Sequence, residues 1–186
     1  MNKYKLSDKK KEFCGRTLHR IVCVTAFASV QVGELGGWVE SENNLSQYGN
    51  AWVYGDAEVY GDAKVYGNAK VCGNAKVYGN ARVCGNAEVC GNAEVCGDAE
   101  VCGDAEVCGD ADYIVLKNNW SSGRYYTYTA SNKMWKVGCF HGTGEELVAK
   151  AYKESELSGK CYEASVRYVE ELERIKAECK DGGNDE

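Results

Sequence analysis

A six-residue alternation of hydrophobic and polar positions runs through the middle of the chain, from about Asn50 to Ala111. Written in register, each unit reads A-x-V-[YC]-G-[ND], with a valine at every sixth position from Val53 to Val107. Alanine and valine stand two residues apart, which in a strand places both on one face. The Gly-Asn or Gly-Asp pair that ends each unit suits a sharp corner, because Gly takes almost any φ and Asn and Asp tolerate positive φ. The pattern predicts short strands with an inward alanine and valine, joined by tight corners.

Strands of four residues with two-residue corners cannot all be hairpins, because hairpins would not keep an unbroken period of six with the same inward pair. The chain must wind, stacking equivalent residues roughly 4.8 Å apart. The variable position before each valine indicates how many units make one turn. Three units per turn give four opposite-charge neighbours and two like-charge ones, whereas two units per turn give three and four. The opposite-charge pairs in the three-unit coil are Glu58/Lys76, Lys70/Glu88, Lys76/Glu94 and Arg82/Glu100. A three-sided coil is therefore favoured.

These units resemble the hexapeptide repeat of left-handed parallel β-helices, in which an aliphatic residue, an Asn and a small residue recur with three units per turn. Here the aliphatic residue is Val, the Asn-like position is Asn or Asp, and the small residue is Ala. Tyr or Cys stands where Gly is common after the aliphatic residue, which departs from that pattern. The resemblance covers about a third of the chain and implies a mainly β protein built on a three-sided, left-handed parallel β-helix. Because this fold hosts several functions, it assigns none by itself.

The segments on either side of the repeat predict a cap and a second domain. Residues 1–34 contain one or two strands between Arg16 and Ala28, and we expect them to form an N-terminal β cap over the open strand edges. Residues 35–111 then form the solenoid, residues 112–180 a C-terminal α+β domain, and residues 181–186 a disordered tail. Three strands are predicted in the C-terminal domain, at Tyr113–Lys117, Arg124–Ala130 and Lys133–Phe140.

Two helices follow these strands in the sequence. Thr143 and Glu146 form a capping box for a helix that runs to about Glu154. A second helix runs from about Ser158 to Glu178, with apolar residues along one stripe. The stretches G-R-T-L-H-R-I, L-G-G-W-V-E-S-E-N-N-L-S and V-G-C-F-H-G-T-G-E-E-L resemble parts of uncharacterised bacterial and bacteriophage proteins that join such repeats to a short α+β module. That resemblance implies a bacterial or phage source and brings no assigned activity.

Composition and charge narrow the classes of partner. The longest apolar stretch, Ile21 to Val32, is too short and too interrupted for a transmembrane helix or a secretory signal. We therefore expect a cytoplasmic protein of a bacterium or an infected host cell, with no membrane partner. The net charge of −6 disfavours general nucleic-acid binding, which draws its affinity from neutralised phosphates.

Six of the eleven cysteines occupy the repeat position that elsewhere holds tyrosine, at Cys72, Cys84, Cys90, Cys96, Cys102 and Cys108. Because tyrosine replaces them, a disulfide framework is not obligatory. In a three-sided coil Cys84 and Cys102 stack on one face and Cys72, Cys90 and Cys108 on another. In-register side chains make the disulfide torsion difficult, so we expect small outward residues, with soft-metal capture by a thiolate ladder as the alternative hypothesis. The chain has no C-x-x-C and only two histidines, so we expect neither a metal site nor a cofactor.

The histidines also bear on catalysis. The resemblance implies that many hexapeptide-repeat proteins are acyltransferases, whose chemistry uses a histidine base near a groove between subunits. No repeat contains a histidine, since His19 lies in the predicted cap and His141 beyond the last coil. The carbonic-anhydrase relatives of the fold need three zinc-binding histidines, and this chain has two. A non-catalytic protein is favoured, and an acyltransferase remains the alternative.

Aromatic and cationic residues interleave after the repeat, a combination that can stack a planar ring and neutralise a phosphate. The candidate ligand-binding residues are Trp120, Arg124, Tyr126, Tyr128, Lys133, Trp135, Lys136 and His141, with Thr143 at a helix start suited to an anion. The other interpretation is that Tyr126, Tyr128 and Trp135 are the core of the small sheet.

These observations lead to one functional hypothesis and two alternatives. We expect a non-catalytic scaffold and binding protein. We expect it to be a homotrimer, because a monomer would expose the apolar columns of outward Tyr and Cys side chains to water. Its ligand is a small anionic aromatic molecule such as a nucleotide, and the resemblance to phage proteins suggests counter-defence by sequestering a nucleotide-type signal. The alternatives are a hexapeptide-repeat acyltransferase and a purely structural, self-assembling protein.

Overall fold

The computed structural model describes residues 2–181 and shows a mainly β protein with a parallel β-solenoid of about four turns. Each hexapeptide supplies one two-residue strand. In chain order these strands are β4 (Trp52–Val53), β5 (Glu58–Val59), β6 (Lys64–Val65), β7 (Lys70–Val71), β8 (Lys76–Val77), β9 (Arg82–Val83), β10 (Glu88–Val89), β11 (Glu94–Val95), β12 (Glu100–Val101) and β13 (Glu106–Val107).

The strands stack in three parallel ladders whose partners are 18 residues apart, so the predicted three-sided coil is confirmed. Val59 pairs with Val77, and Val77 with Val95, along one ladder. Every repeat valine and alanine from Ala51 to Val107 is fully buried, so the core is a column of these two residue types. Two of the predicted charge pairs form ion pairs, Lys76 with Glu94 at 3.0 Å and Arg82 with Glu100 at 3.5 Å.

The corners need glycine for two reasons. Gly85, like the other repeat glycines before it, has a positive φ, here 68°, a region that side chains rarely adopt. A Cβ atom on Gly85 would also lie 2.8 Å from the backbone nitrogen of Gly103 in the next coil. Asparagines that follow repeat glycines form side-chain ladders along the rod, as where Asn68 Nδ2 donates to Asn86 Oδ1 at 3.0 Å.

The stacked cysteines correct one expectation, because two pairs are disulfide-bonded. Cys84 is bonded to Cys102 and Cys90 to Cys108, each across one coil. The Cα atoms of these pairs lie 4.7 and 4.6 Å apart, within the range that a disulfide spans. Coil spacing thus brings neighbouring thiols together closely enough for the side chains to turn toward each other.

The N-terminal cap is an antiparallel hairpin that continues one solenoid sheet. Its strands are β1 (Tyr4–Phe13) and β2 (Arg16–Cys23), and β3 (Leu35–Val39) joins β2 to β5, giving the sheet order β1-β2-β3-β5-β8-β11. A one-turn 3-10 helix spans Glu42–Asn44. The sequence patterns did not indicate β1, because its lysine-rich half lies at the sheet edge and is largely exposed.

The C-terminal module combines a four-stranded antiparallel sheet with two helices. After a 3-10 turn at Asp110–Asp112, the strands are β14 (Tyr113–Lys117), β15 (Tyr125–Thr129), β16 (Met134–Val137) and β17 (Phe140–Gly142), and the helices are α1 (Gly144–Glu154) and α2 (Glu156–Asp181). The strand predicted over Lys133–Phe140 is instead a hairpin, because Gly138 has a φ of 56° and turns the chain.

The start of α1 agrees with the prediction, whereas the ends of α2 do not. The capping box is confirmed, since Thr143 Oγ1 accepts from the Glu146 backbone N–H and Glu146 Oε2 from that of Thr143. The second helix is longer than expected at both ends. Asp181 ends α2, and the rest of the predicted tail lies outside the described residues. Within residues 2–181, neither helix is apolar enough over a sufficient length to cross a membrane.

Candidate functional site: a groove in the C-terminal module

Hydroxyl side chains attach the module to the last coil of the solenoid. Each coil donates its backbone N–H groups to the coil that follows, so the last coil has N–H groups without a further coil to accept them. Thr127 Oγ1 accepts from the Glu100 backbone N–H at 2.9 Å, and Ser131 Oγ from that of Glu106 at 2.8 Å. These bonds place the inner face of the sheet on the rod and leave its outer face for the helices.

Three of the predicted ligand-binding residues form the core of the module. Tyr126, Tyr128 and Trp135 are all buried, and the Trp135 ring centroid lies 5.8 Å from that of Tyr126 and 5.1 Å from that of Tyr128. Both tyrosine hydroxyls reach α2, where Ser165 and Glu173 are their partners. Burial raises the pKa of both tyrosines, so both stay protonated at neutral pH. Their placement agrees with the interpretation of these rings as sheet core.

The other predicted residues are dispersed over the module. Lys133 lies 3.9 Å from a Glu173 carboxylate oxygen, and Lys136 Nζ lies 3.9 Å from Glu100 Oε2 of the solenoid. Arg124 borders a separate pocket beside α1. Thr143 caps α1. These side chains do not converge on one point with the aromatic residues.

His141 lies on an exposed strand beside the last coil. A Cβ atom placed on Gly103, the corner of that coil, would come within 2.5 Å of the imidazole Cε1 atom. The histidine therefore packs closely on a repeat corner rather than in a cavity. Lys136 faces it in the paired strand.

A groove of about 490 Å³ between β14, the loop that follows it and α2 brings two of the predicted residues together with residues that were not predicted. It is lined by Leu116, Lys117, Asn118, Asn119, Trp120, Tyr126, Lys160, Cys161, Ala164, Ser165 and Tyr168. Trp120 is 85% exposed and Tyr168 52% exposed, so two aromatic rings are available at its surface.

Asn118 is the polar group that distinguishes this groove. The residue is only 5% exposed, and its Oδ1 accepts from the Ser121 backbone N–H at 3.2 Å. Its Nδ2 is buried without a hydrogen-bond partner in the structure. A buried donor without an acceptor costs about 1–3 kcal/mol, so a turn of this amide toward the groove would let an incoming acceptor satisfy it.

Two lysines give the groove a positive rim. Lys117 lies at the end of β14 with its Nζ 4.9 Å from the Tyr125 ring centroid. Lys160 lies on α2 and is paired with Glu156 at 2.7 Å, but both side chains are largely exposed, so this pair is weak and easily exchanged. The groove thus combines exposed aromatic rings, two cations and an unsatisfied amide donor.

A second cavity, of about 590 Å³, lies between the sheet and the C-terminal half of α2. Its polar groups are paired with one another, since Tyr128 donates to Glu173 and Lys176 donates to the Ala111 carbonyl. The groove at Asn118 is therefore the better candidate for a ligand site.

Comparison with known proteins finds a local similarity. No family model matches the chain. One segment is 33% identical over 61 residues to the uncharacterized acetyltransferase YdcK of Escherichia coli (strain K12), a match that covers 28% of this chain and 19% of that protein. The match thus spans about a fifth of the relative's length. The solenoid and this local similarity together fit a hexapeptide-repeat protein.

Sequence reasoning identified Trp120 and Tyr126 but missed the other nine residues that line the groove. Asn118, Lys117 and the α2 residues Lys160 and Tyr168 come together only because α2 packs across the sheet. The Asn118-Asn119 pair follows a predicted strand, as turn residues do, and a turn asparagine ordinarily satisfies its side chain locally. No pattern in the sequence indicates that its amide nitrogen is left without a partner.

Proposed function

We propose that this protein is a non-catalytic binding protein, in which the solenoid is a rigid scaffold and the groove at Asn118 recognises a small anionic ligand with a planar aromatic ring. The observation that carries the proposal is the buried, unpartnered Nδ2 of Asn118 in a groove bordered by exposed Trp120. Structural side chains rarely leave a buried donor unpaired, and such groups call for an explanation.

The groove chemistry matches a nucleotide-type molecule. A base can stack on Trp120 or Tyr168, as flat rings do on exposed aromatic side chains. Lys117 and Lys160 can neutralise a phosphate, and Asn118 Nδ2 can donate to a ring or sugar oxygen. The volume of about 490 Å³ lies within the range of small-molecule sites.

Calorimetric titration with linear and cyclic nucleotides tests this proposal. Two variants should each weaken binding at least tenfold: Trp120→Ala removes the stacking surface, and Asn118→Asp replaces the amide donor but keeps an acceptor for Ser121. Lys153→Ala, an exposed lysine on α1, is the matched control and should bind normally. If no nucleotide binds, the purely structural, self-assembling alternative is favoured.

Counter-defence by sequestration is the more specific form of the proposal. It requires the nucleotide to leave the protein chemically unchanged and to be withheld from other proteins while bound. Chromatography of ligand recovered after denaturation should return the intact molecule at full yield. A hydrolysed or modified product would contradict sequestration and indicate catalysis.

We also propose that the rod assembles as a homotrimer. Support comes from one corner of the solenoid, where Tyr48 and Tyr66 hold the repeat position that Cys84 holds one coil later, and where Tyr48 is 85% and Tyr66 39% exposed. An exposed aromatic column is typical of a surface that another chain covers. Sedimentation at micromolar concentration should give three times the chain mass, falling toward a monomer in Tyr48→Ser/Tyr66→Ser.

An acyltransferase is the second candidate, and His141 is the observation that favours it. Its imidazole packs on the Gly103 corner of the last coil, and the similarity to YdcK lies with a protein named as an acetyltransferase. A general base at such a corner would remove a proton from an acceptor substrate. This alternative predicts that coenzyme A binds and that His141→Ala abolishes turnover without changing stability.

A further inference from the structure

Three cysteines form a continuous column along one corner of the rod. Cys72, Cys90 and Cys108 occupy the same position of successive coils, because Val71 pairs with Val89 and Val89 with Val107. The Cys72 backbone N–H donates to the Val89 carbonyl at 2.8 Å, so Cys72 sits directly over Cys90. Cys90 is bonded to Cys108, whereas Cys72 is a free thiol.

The other disulfide is built in a different setting. Cys84 and Cys102 are both buried, and the residue one coil before Cys84 in that column is Tyr66. A tyrosine has no thiol to offer, so the Cys84–Cys102 pair has no third sulfur in line with it. The two columns therefore differ in one respect that matters for sulfur chemistry, the presence of Cys72.

We propose that the Cys72–Cys90–Cys108 column is a thiol–disulfide exchange site, in which the bond moves between Cys90–Cys108 and Cys72–Cys90. Exchange requires a thiolate to approach a disulfide sulfur roughly in line with the bond that breaks. The backbone register stacks the three cysteines along the rod axis, so a rotation of the Cys72 side chain from Glu88 toward Cys90 supplies that arrangement. The column is half-exposed at Cys72 and exposed at Cys108, so both ends are accessible to solvent.

The step balances without an external oxidant. The Cys72 thiol loses its proton to water, and the thiolate forms a bond to Cys90 Sγ. The Cys90–Cys108 bond breaks with its electron pair on Cys108, which takes a proton from water. Only the first formation of a disulfide in the column needs an oxidant, and a low-molecular-weight disulfide supplies it by being reduced to two thiols.

The position of the bond decides which coils are joined and which thiol is reactive. The Cys90–Cys108 bond joins the last coil covalently to the coil before it. It lies at the junction with the C-terminal module, where the Cys108 backbone N–H donates to Asp112 Oδ2. The Cys72–Cys90 bond staples the preceding pair of coils and leaves an exposed Cys108 thiol at that junction. A free Cys108 is then the site for a mixed disulfide with a small thiol.

The surroundings of Cys72 set the pH dependence of exchange. Burial raises the pKa of the Cys72 thiol, and Glu88, whose Oε1 accepts from Cys72 Sγ at 3.7 Å, raises it further, while Lys70 opposes the shift. The thiolate fraction is therefore small at neutral pH and grows as pH rises. Glu88→Gln should lower that pKa and speed exchange severalfold at pH 7.

Disulfide mapping by mass spectrometry tests the proposal directly. Trypsin and a glutamate-specific protease cut the repeat at its variable positions, giving V-C-G-N-A-K for Cys72, V-C-G-N-A-E for Cys90 and V-C-G-D-A-D-Y-I-V-L-K for Cys108. The two bonded forms therefore have different masses. Cys84 gives the same V-C-G-N-A-E peptide as Cys90, so each protein is also mapped in a Cys84→Ser/Cys102→Ser background, where that peptide contains only Cys90. The full-length protein is equilibrated at pH 8.5 with reduced and oxidised glutathione, quenched in acid and alkylated before digestion.

The expected result is both linked pairs in the wild type. Cys72→Ser should give only the Cys90–Cys108 pair, and Cys108→Ser should convert fully to Cys72–Cys90. In the Cys84→Ser/Cys102→Ser background the free thiol Cys96, whose peptide is V-C-G-D-A-E, is the internal control and should be recovered in its alkylated form throughout. Recovery of the Cys72 peptide only in its alkylated form, in both the wild type and Cys108→Ser, would overturn the proposal.

Discussion

The two ends of the solenoid are closed by opposite chemistry. At the N-terminal end, Lys3 Nζ donates to the Ala51 carbonyl at 2.7 Å, and Asn44 Nδ2 donates to the Gly61 and Ala63 carbonyls. At the C-terminal end, Thr127 and other hydroxyls accept from backbone N–H groups. Because every coil donates toward the C-terminus, the first coil is left with free carbonyls and the last with free N–H groups. One cap must therefore supply donors and the other acceptors.

The two caps also differ in how many of their side chains are buried against the solenoid. At the N-terminal end, Trp52 is fully buried, and the rings of Tyr4 and Phe27 contact it edge-on. The C-terminal module seals with hydroxyls of one sheet face, and its opposite face and α2 build the groove at Asn118. This difference is what we expect if the N-terminal cap is structural and the C-terminal module binds the proposed ligand.

Replacing the tryptophan at each end should give the largest contrast. Trp52→Ala removes a fully buried ring, so we expect a loss of about 3–5 kcal/mol in the free energy of unfolding. Trp120→Ala removes an exposed ring and should cost about 0.5 kcal/mol or less. Urea denaturation of both variants measures the difference. Equal losses would contradict the division between a structural end and a binding end.

The next largest effect should be at the N-terminal end, where Lys3 makes the stability of the protein depend on pH. Burial lowers the pKa of Lys3 from 10.5 to about 8, so between these values the unfolded chain holds a proton that the folded chain has released. Stability therefore rises with pH across this interval, by at most about 3 kcal/mol at 1.4 kcal/mol per pH unit. Lys3→Met lacks this contribution.

The measurement is the difference between wild type and Lys3→Met in the free energy of unfolding at pH 7.5 and pH 10.5. Tyrosines and cysteines that titrate in this range are the same in both proteins, so their effects cancel, except for Cys23, whose charge interacts with that of Lys3. Both proteins therefore carry Cys23→Ala. We expect the wild type to gain stability relative to the variant as pH rises. A constant difference would show that Lys3 is solvated rather than buried against the first coil.

The C-terminal seal can be broken at one hydroxyl. Thr127→Val keeps the shape of the side chain but leaves the Glu100 backbone N–H without its acceptor, which should cost about 1–3 kcal/mol. Amide hydrogen exchange should accelerate at Glu100 and at its neighbours in the last coil first. Thr127→Ser retains the hydroxyl and serves as the control, with protection close to that of the wild type.

The solenoid was predictable because one short rule is repeated ten times, from Val53 to Val107. Each unit carries the inward pair and the corner residues, and most units carry a charge opposite to one that lies a coil away, so the pattern does not depend on any single unit. The edge strand β1 was missed because half of its side chains face solvent and include Lys9 and Lys10. Such a strand is defined by its partner β2 rather than by its own pattern.

The groove could be predicted only in part. Trp120 was identified because an aromatic residue near several cations is recognisable in any sequence. Asn118 and Tyr168 depend on where α2 crosses the sheet, which is a property of tertiary packing. The core position of Trp135 was one of two open interpretations, since the same spacing serves a sheet core and a stacking surface.

The smallest effects on stability should come from the side-chain ladders. Their donors point along the rod in the same direction as the backbone N–H groups. Asn80 Nδ2 donates to Asp98 Oδ1 at 3.0 Å. Asp98 therefore acts only as an acceptor in this ladder, which a carboxylate can do. Asn80→Asp should cost about 1 kcal/mol, because it removes the donor and places two carboxylates one coil apart. Asp98→Asn, which keeps the acceptor, should be nearly neutral in the same urea titration.

The reverse exchange tests whether the ladder has a direction. Asp62 stands one coil before Asn80 in the same column, and as a carboxylate it has no proton to donate along the rod. Asp62→Asn provides that donor and should stabilise the protein by a few tenths of a kcal/mol, the usual size of an exposed neutral hydrogen bond. If Asp62→Asn and Asp98→Asn change stability equally, the ladder responds to net charge alone. If Asp62→Asn stabilises the protein and Asp98→Asn does not, the side-chain hydrogen bonds run in the same direction along the rod as the backbone hydrogen bonds. The two caps close the ends of that one directional network.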